Sequence, residues 1–79
     1  MMIRVKMIAN YRKILPPEAK DGVVELELPD GATIHDAISR FDIPLTDESV
    51  IVLNGLTVDM DTPLKEGDMV TAFSAIAGG

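Results

Sequence analysis

One short amphipathic helix, lying between segments that alternate like β-strands, is the feature that most constrains the fold. Thr33 is a suitable N-cap, and Asp36 stands three residues later, where a capping box places its acidic member. Apolar residues then follow at i, i+3, i+4 and i+7, which puts them on one helical face; they are Ile34, Ala37, Ile38 and Phe41. We expect Pro44 to end the helix. Two turns with one apolar stripe must pack on something, and the neighbouring strands are the only candidate.

Five segments carry a strand pattern, either period-two alternation or a short β-branched apolar run, and they are residues 2–9, 23–28, 50–53, 56–58 and 69–73. Asn54-Gly55 is a strong signal for a type I′ hairpin turn, because both central residues of that turn need positive φ. The apolar run 50–53 is expected to be a well-buried strand. The order strand, strand, helix, strand, short strand, strand predicts an α+β fold, with the first and last strands side by side.

The length of 79 residues allows a single small domain. A chain of this size buries about 60–65% of its unfolded surface, enough for a helix on a sheet but not for a deep active-site cavity. There are no cysteines, which excludes disulfides and carriage of sulfur on a thiol of this protein, and which favours a cytoplasmic location. We expect no signal peptide and no membrane segment, since no apolar stretch approaches about 20 residues.

The formal charge of −6 argues against nucleic acid as a partner, because phosphate binding depends on clustered Lys and Arg. The basic residues are also unevenly placed: six of the seven lie at or before Arg40, and Lys65 alone follows. The acidic excess after Arg40 is either ordinary solvation or a face that attracts a basic partner.

The strand pattern fades after Phe73, so we predict one folded domain over residues 1–73 and a flexible tail over 74–79. Six extended residues reach about 20 Å. The small residues Ala77, Gly78 and Gly79, with Ile76 before them, are suited to threading through a narrow passage in a partner, since glycine lacks a Cβ. A frayed chain end is the alternative reading.

The α-carboxylate of Gly79 is the unusual reactive group of this chain. A carboxylate is a poor acyl electrophile, but an acyl-adenylate formed with ATP has a good leaving group. A sulfur nucleophile, such as a persulfide on another protein, would then displace AMP and leave a glycyl thiocarboxylate. The protein would need no catalytic residue, metal or cofactor of its own, since ATP and any metal would belong to the activating enzyme.

Four motifs over nearly the whole chain resemble the ubiquitin-like β-grasp sulfur carriers of the MoaD/ThiS group. They are Gly31-Ala32-Thr33 at the helix start, 52–55 at the hairpin, 64–70 before the last strand, and Gly78-Gly79. The resemblance implies a mixed sheet of four to five strands packed on one main helix. It also implies that an E1-like enzyme of the MoeB/ThiF type adenylates Gly79, and that the resulting thiocarboxylate donates sulfur in cofactor biosynthesis.

The resemblance leaves the sulfur acceptor open. Residues 11–15 and the overall length look like MoaD, whose acceptor is the large subunit of molybdopterin synthase. Ser74-Ala75 stands where MoaD-like tails carry two prolines, and residues 73–79 look closer to ThiS, which serves thiazole synthase in thiamine biosynthesis. Tungstopterin carriers share both traits. Phe73 either closes the core or docks into the activating enzyme.

Two further functions fit the same residues. One is a ubiquitin-like modifier joined through Gly79 to lysines of other proteins, and the other is a non-catalytic β-grasp interaction module. Polar constellations elsewhere favour neither an enzyme nor a metal site. We interpret His35 as a solvated helix residue, and Asp59 and Asp61 as an exposed loop.

Overall fold

The computed structural model describes residues 1–8, 11, 15–17, 19–41 and 49–74. Its elements, in chain order, are β1 Met2–Met7, β2 Val23–Glu27, α1 Ile34–Ile38, β3 Ser49–Leu53, β4 Leu56–Thr57 and β5 Met69–Ser74. The predicted α+β order is therefore confirmed. The helix within the described ranges is too short to span a membrane.

The five strands form one mixed sheet in the order β2-β1-β5-β3-β4. β1 and β5 are parallel, with Val5 opposite Val70, and the other neighbouring strands are antiparallel. The first and last strands are thus adjacent at the centre of the sheet, as the sequence predicted. A parallel pair needs a long crossover, and here it is supplied by everything between β1 and β5.

One face of the sheet, called here the inner face, carries the core. Along β1 the side chains of Ile3, Val5 and Met7 are buried, and those between them are exposed. On β5 the side chains of Val70 and Ala72 are fully buried on the same face. These residues form one apolar cluster with the buried helix residues Ile34, Ala37 and Ile38. We call the opposite side of the sheet the open face.

The predicted capping box at the start of α1 is confirmed. The Thr33 hydroxyl accepts a hydrogen bond from the Asp36 N–H (3.3 Å), and the Asp36 carboxylate accepts one from the Thr33 N–H (2.9 Å). The next two N–H groups, of Ile34 and His35, donate to the carbonyls of Thr62 and Met60. The N–H groups of the first helical turn, which have no carbonyl partner within the helix, therefore have hydrogen-bond partners outside it.

The helix is shorter than its apolar stripe predicted. It ends at Ile38, with Ser39 as the C-cap. The N–H groups of Arg40 and Phe41 then donate to carbonyls three residues earlier, a tighter spacing than the α-helical one. Phe41 is half-buried and packs against the core, so the last residue of the predicted apolar helix face still contacts the core although it lies beyond the helix. Pro44, the predicted stop, lies outside the described residues.

The Asn54-Gly55 turn between β3 and β4 has positive φ at both residues, 51° and 88°, as the hairpin signal requires. The Asn54 side chain also ties this turn to the start of β5. Its Oδ1 accepts from the Met69 N–H (2.9 Å), and its Nδ2 donates to the Asp68 carboxylate (3.0 Å). The turn residue therefore fixes a contact between segments 14–15 positions apart.

The capping box predicts a pH dependence of stability. The N–H and hydroxyl of Thr33, with smaller contributions from His35 and Arg40, hold the pKa of Asp36 below its ordinary value. A carboxyl whose pKa is lowered by folding stabilises the native state above its unfolded pKa, near 3.9, and loses that contribution as pH falls through the folded value.

We therefore expect Asp36→Asn to show a smaller loss of unfolding free energy than wild type when urea titrations are run from about pH 5 down to about pH 2.5. Asp61→Asn, at an exposed turn position, controls for the loss of one negative charge. Identical pH profiles for Asp36→Asn and wild type would contradict the prediction.

Candidate functional site

The predicted reactive end, Ile76, Ala77, Gly78 and Gly79, lies outside the described residues, and the flexible tail stays a prediction. The point where that end leaves the domain is described. β5 ends at Ser74, one residue beyond the predicted domain limit, and Ser74 pairs with Ser49 of β3. β5 lies between β1 and β3, with its β1 ladder reaching Ala72 and its β3 ladder reaching Ser74.

Phe73 lies on the open face. It follows Ala72, which is fully buried on the inner face, and successive strand residues point to opposite faces. Its cross-strand partner is Val50, and its side chain is half-buried. Phe73 therefore lies on the face opposite the buried core cluster, and its role in docking to the activating enzyme stays a prediction.

Phe73 is part of a half-buried apolar patch, the open-face stripe, formed by Val50, Val52, Met69 and Phe73. The register places Val50 opposite Phe73 and Val52 opposite Thr71. The expectation that 50–53 would be a well-buried strand was wrong, because Ile51 alone of these four residues is buried. Residues 50–53 are all apolar because one face of β3 packs on the core and the other face is part of the open-face stripe.

Two exposed cations border the open-face stripe. Arg4 pairs with Met69, and Lys6 pairs with Thr71, across the parallel β1–β5 ladder. On its other side Arg4 faces Glu25 of β2, whereas Lys6 faces Val23. An apolar patch with a charged rim is typical of protein–protein contact surfaces. In an acidic protein, cations at this place favour a partner whose rim is acidic.

The polar residues that the sequence analysis interpreted as solvent-exposed are exposed in the structure. His35 is exposed on α1, and Asp59 and Asp61 are exposed between β4 and β5. Within the described ranges, no three His, Asp or Glu side chains come together as a group able to hold a metal ion.

Sequence reasoning missed a contact beside the root of the tail. The Tyr11 hydroxyl and the Ser49 Oγ are 2.6 Å apart and form a partly buried hydrogen bond. The residues are 38 positions apart, so no local pattern joins them. The position of Tyr11 just after an alternating strand was the available signal, and it indicates a turn but not a partner.

In the described part of the chain, a five-stranded mixed sheet with parallel central strands and one helix on its inner face defines a ubiquitin-like β-grasp protein, and its likeness to a molybdopterin converting factor subunit 1 indicates the MoaD/ThiS type. Residues 1–77 match the family described as Mut7-C ubiquitin, and the chain belongs to that family. No curated protein is similar enough in sequence to count as a relative.

Three solved structures illustrate the likeness. SAMP1 from Haloferax volcanii, also described as small archaeal modifier protein 1, is 20% identical over 100% of both chains, with a TM-score of 0.78. A protein from Pyrococcus furiosus assigned as molybdopterin converting factor, subunit 1, is 29% identical over 95% of this chain and 98% of its own, with a TM-score of 0.73. A complex of subunits 1 and 2 of the Helicobacter pylori molybdopterin-converting factor matches at 21% identity and TM-score 0.62, over 100% of both chains.

We expect a Val→Thr substitution to lower the unfolding free energy by different amounts on the two faces of the sheet. Val70→Thr places a hydroxyl in the core and should lower the unfolding free energy by about 1–3 kcal/mol. Val52→Thr, on the open-face stripe, should stay within about 0.5 kcal/mol of wild type. Urea unfolding followed by circular dichroism measures both, and equal losses would mean that the stripe belongs to the core.

Proposed function

We propose that this protein is a ubiquitin-like sulfur carrier, in which Gly79 is adenylated by an E1-like enzyme and converted to a thiocarboxylate. The observation that carries the proposal is the position of β5. It runs between two strands at the centre of a ubiquitin-like sheet, and the Ala77-Gly78-Gly79 end follows it within a few residues in the sequence. A small-residue end on a firmly held strand suits delivery of a terminal carboxylate into the site of another protein.

The chemistry needs no catalytic group on this chain. A carboxylate oxygen of Gly79 attacks the α-phosphorus of ATP, and pyrophosphate leaves. The terminal sulfur of a persulfide then attacks the glycyl carbonyl carbon, and AMP leaves. A thiol of the sulfur-donating protein cleaves the remaining S–S bond, forming a disulfide there and releasing the thiocarboxylate. ATP and its metal ion are bound by the activating enzyme.

The open-face stripe supports a docking role for the same sheet. Phe73 stands at the end of β5 that leads into the tail, so a partner seated on the stripe would have the tail within reach. Arg4 and Lys6 suit an acidic rim on the E1-like enzyme of the MoeB/ThiF type. The same face would serve the sulfur-accepting synthase in turn, in the cytoplasm.

A molybdopterin-type acceptor is the first choice of pathway. The Pyrococcus and Helicobacter proteins are named as molybdopterin converting factor subunits, and the Helicobacter subunit 1 is in complex with subunit 2. A tungstopterin or thiamine thiazole acceptor is the alternative, on the grounds of Ser74-Ala75 in place of prolines. The second candidate function is protein modification through Gly79, which the name of the Haloferax protein favours.

Intact-mass spectrometry tests the carrier function. After incubation with the cognate E1-like enzyme, ATP and a sulfur donor, we expect the mass to rise by the difference between a sulfur and an oxygen atom. The Gly79 deletion should show no gain, and its unfolding free energy should stay within about 0.5 kcal/mol of wild type, as for a surface change. Absence of a gain in wild type, with an enzyme that consumes ATP, would contradict the proposal. Adducts joining Gly79 to lysines in cell extracts would favour the modifier.

A second prediction concerns docking. Phe73→Ala should raise the KM of the E1-like enzyme for this protein roughly fivefold or more, the scale of an interface residue that contributes more than 1 kcal/mol. Leu56→Ala is the matched control, because Leu56 is 69% exposed on β4 and lies outside the stripe. An unchanged KM for Phe73→Ala, with a wild-type circular dichroism spectrum, would contradict the docking role.

A further inference from the structure

Asn54 stands before a glycine, in a sequence that is chemically fragile. The backbone nitrogen of Gly55 is unhindered, because glycine has no Cβ, and it can attack the side-chain amide of the preceding asparagine. Both residues are exposed, so water reaches the turn. The other asparagine, Asn10, precedes the bulky Tyr11, and the chain has no glutamine. We therefore expect Asn54 to be the first amide side chain to hydrolyse.

This deamidation needs water and hydroxide but no enzyme. The Gly55 nitrogen gives its proton to hydroxide and forms a bond to Cγ of Asn54. The bond from Cγ to Nδ2 breaks, and ammonia leaves after taking a proton from water, which regenerates the hydroxide. Water then opens the five-membered succinimide at either carbonyl and leaves aspartate or isoaspartate at position 54. The attack requires the Asn54 side chain to bring Cγ against the Gly55 nitrogen.

The structure holds the Asn54 side chain at the start of β5 instead. Its Oδ1 accepts from the Met69 N–H (2.9 Å), and its Nδ2 donates to the Asp68 carboxylate (3.0 Å). The Asn54 N–H also donates to the Met69 carbonyl (2.9 Å). Both polar atoms of the side-chain amide therefore have to be released before Cγ can turn to the Gly55 nitrogen.

The carboxylate that receives Nδ2 is itself held in place. Its second oxygen, Oδ2 of Asp68, accepts from the Lys65 N–H (2.7 Å), and the Asp68 N–H donates to the Lys65 carbonyl (3.1 Å). The Asp68 carbonyl accepts from the Arg4 N–H of β1 (2.9 Å). Because Asp68 is tied on three sides, it cannot follow the Asn54 side chain when that side chain moves.

We propose that Asn54 is a deamidation site that Asp68 and Met69 keep closed while the domain is folded. The same contact opposes the product. Aspartate at position 54 puts a carboxylate oxygen where Nδ2 donated to Asp68, and like charges at this distance repel. Isoaspartate adds a carbon to the backbone of a two-residue turn whose φ angles are fixed. Deamidation therefore loosens the join between the β3–β4 hairpin and β5.

Peptide mapping of the full chain in mildly alkaline buffer measures the rate. Trypsin places Asn54 in the peptide 41–65 and Asn10 in the peptide 7–12, so the two asparagines are followed separately. At Asn54, folded wild type should deamidate at least about tenfold more slowly than the chain in guanidinium chloride, since two hydrogen bonds must open. Equal rates in the two states would overturn the protection.

Asp68→Ala removes the acceptor of Nδ2. It should speed deamidation of the folded protein about two- to tenfold, the scale of one net hydrogen bond. Glu66→Ala is the matched control, because it removes a carboxylate of the same turn that accepts from the Met2 N–H (3.0 Å) and leaves the Asn54 contact intact. Glu66→Ala should deamidate at the wild-type rate.

Two outcomes of this comparison would overturn the proposal. One is a wild-type rate in Asp68→Ala, and the other is an equal acceleration in Glu66→Ala, since a general loosening of the turn would then explain both. Circular dichroism shows whether each variant is folded. If Asp68→Ala does not fold, the comparison of folded and denatured wild type decides the question.

Asn54→Asp tests the effect of the product on stability. It should lower the urea midpoint of unfolding, and the loss should shrink when Asn54→Asp is combined with Asp68→Ala, because the repelling carboxylate is then absent. Equal losses in the two backgrounds would overturn the repulsion. None of these measurements uses an activating enzyme, so their outcome is independent of the proposed function.

Discussion

The insertion of β5 between β1 and β3 is the interaction on which the rest of this structure depends. Without β5, the sheet would consist of two separate two-stranded ribbons, β1–β2 and β3–β4, and isolated ribbons are marginal in water. β5 pairs with both, and its fully buried Val70 and Ala72 complete the inner face on which α1 packs. The same insertion places Phe73 and Ser74, the last described residues, in the central strand of the sheet.

The small size of the domain makes the open face a consequence of the fold. Within the described part of the chain, one short helix packs on the inner face, and a chain of this length has little apolar surface for burying both faces of a sheet. The described apolar residues on the other face, the open-face stripe, are half-buried. Arg4 and Lys6 lie at the border of the stripe. They would favour one partner and one binding orientation, because charges at an interface rim select both.

In the proposed carrier, the folded domain binds the partner enzymes and the terminal carboxylate reacts. The chemistry belongs to the terminal carboxylate and to the partner enzymes, so the fold needs to provide a docking face. The fold alone does not decide the acceptor, since proteins of this shape carry the names of both modifiers and molybdopterin converting factor subunits. Differences at the stripe and at residues 73–79 are where such specificity would lie.

The sequence by itself determined the features whose partners are close along the chain. These include the alternation of β1, the Thr33–Asp36 capping box and the Asn54-Gly55 turn, because each depends on local spacing or local φ. The sequence did not show which residues of β3 and β5 face the core. All four residues of 50–53 are apolar, so alternation between apolar and polar residues cannot identify the buried face. Register with distant strands decided that Phe73 lies on the open face and that Tyr11 reaches Ser49. No local pattern encodes either of these contacts. The structure also showed that α1 ends at Ile38, where the N–H groups of Arg40 and Phe41 bond to carbonyls three residues earlier, before the apolar stripe is complete.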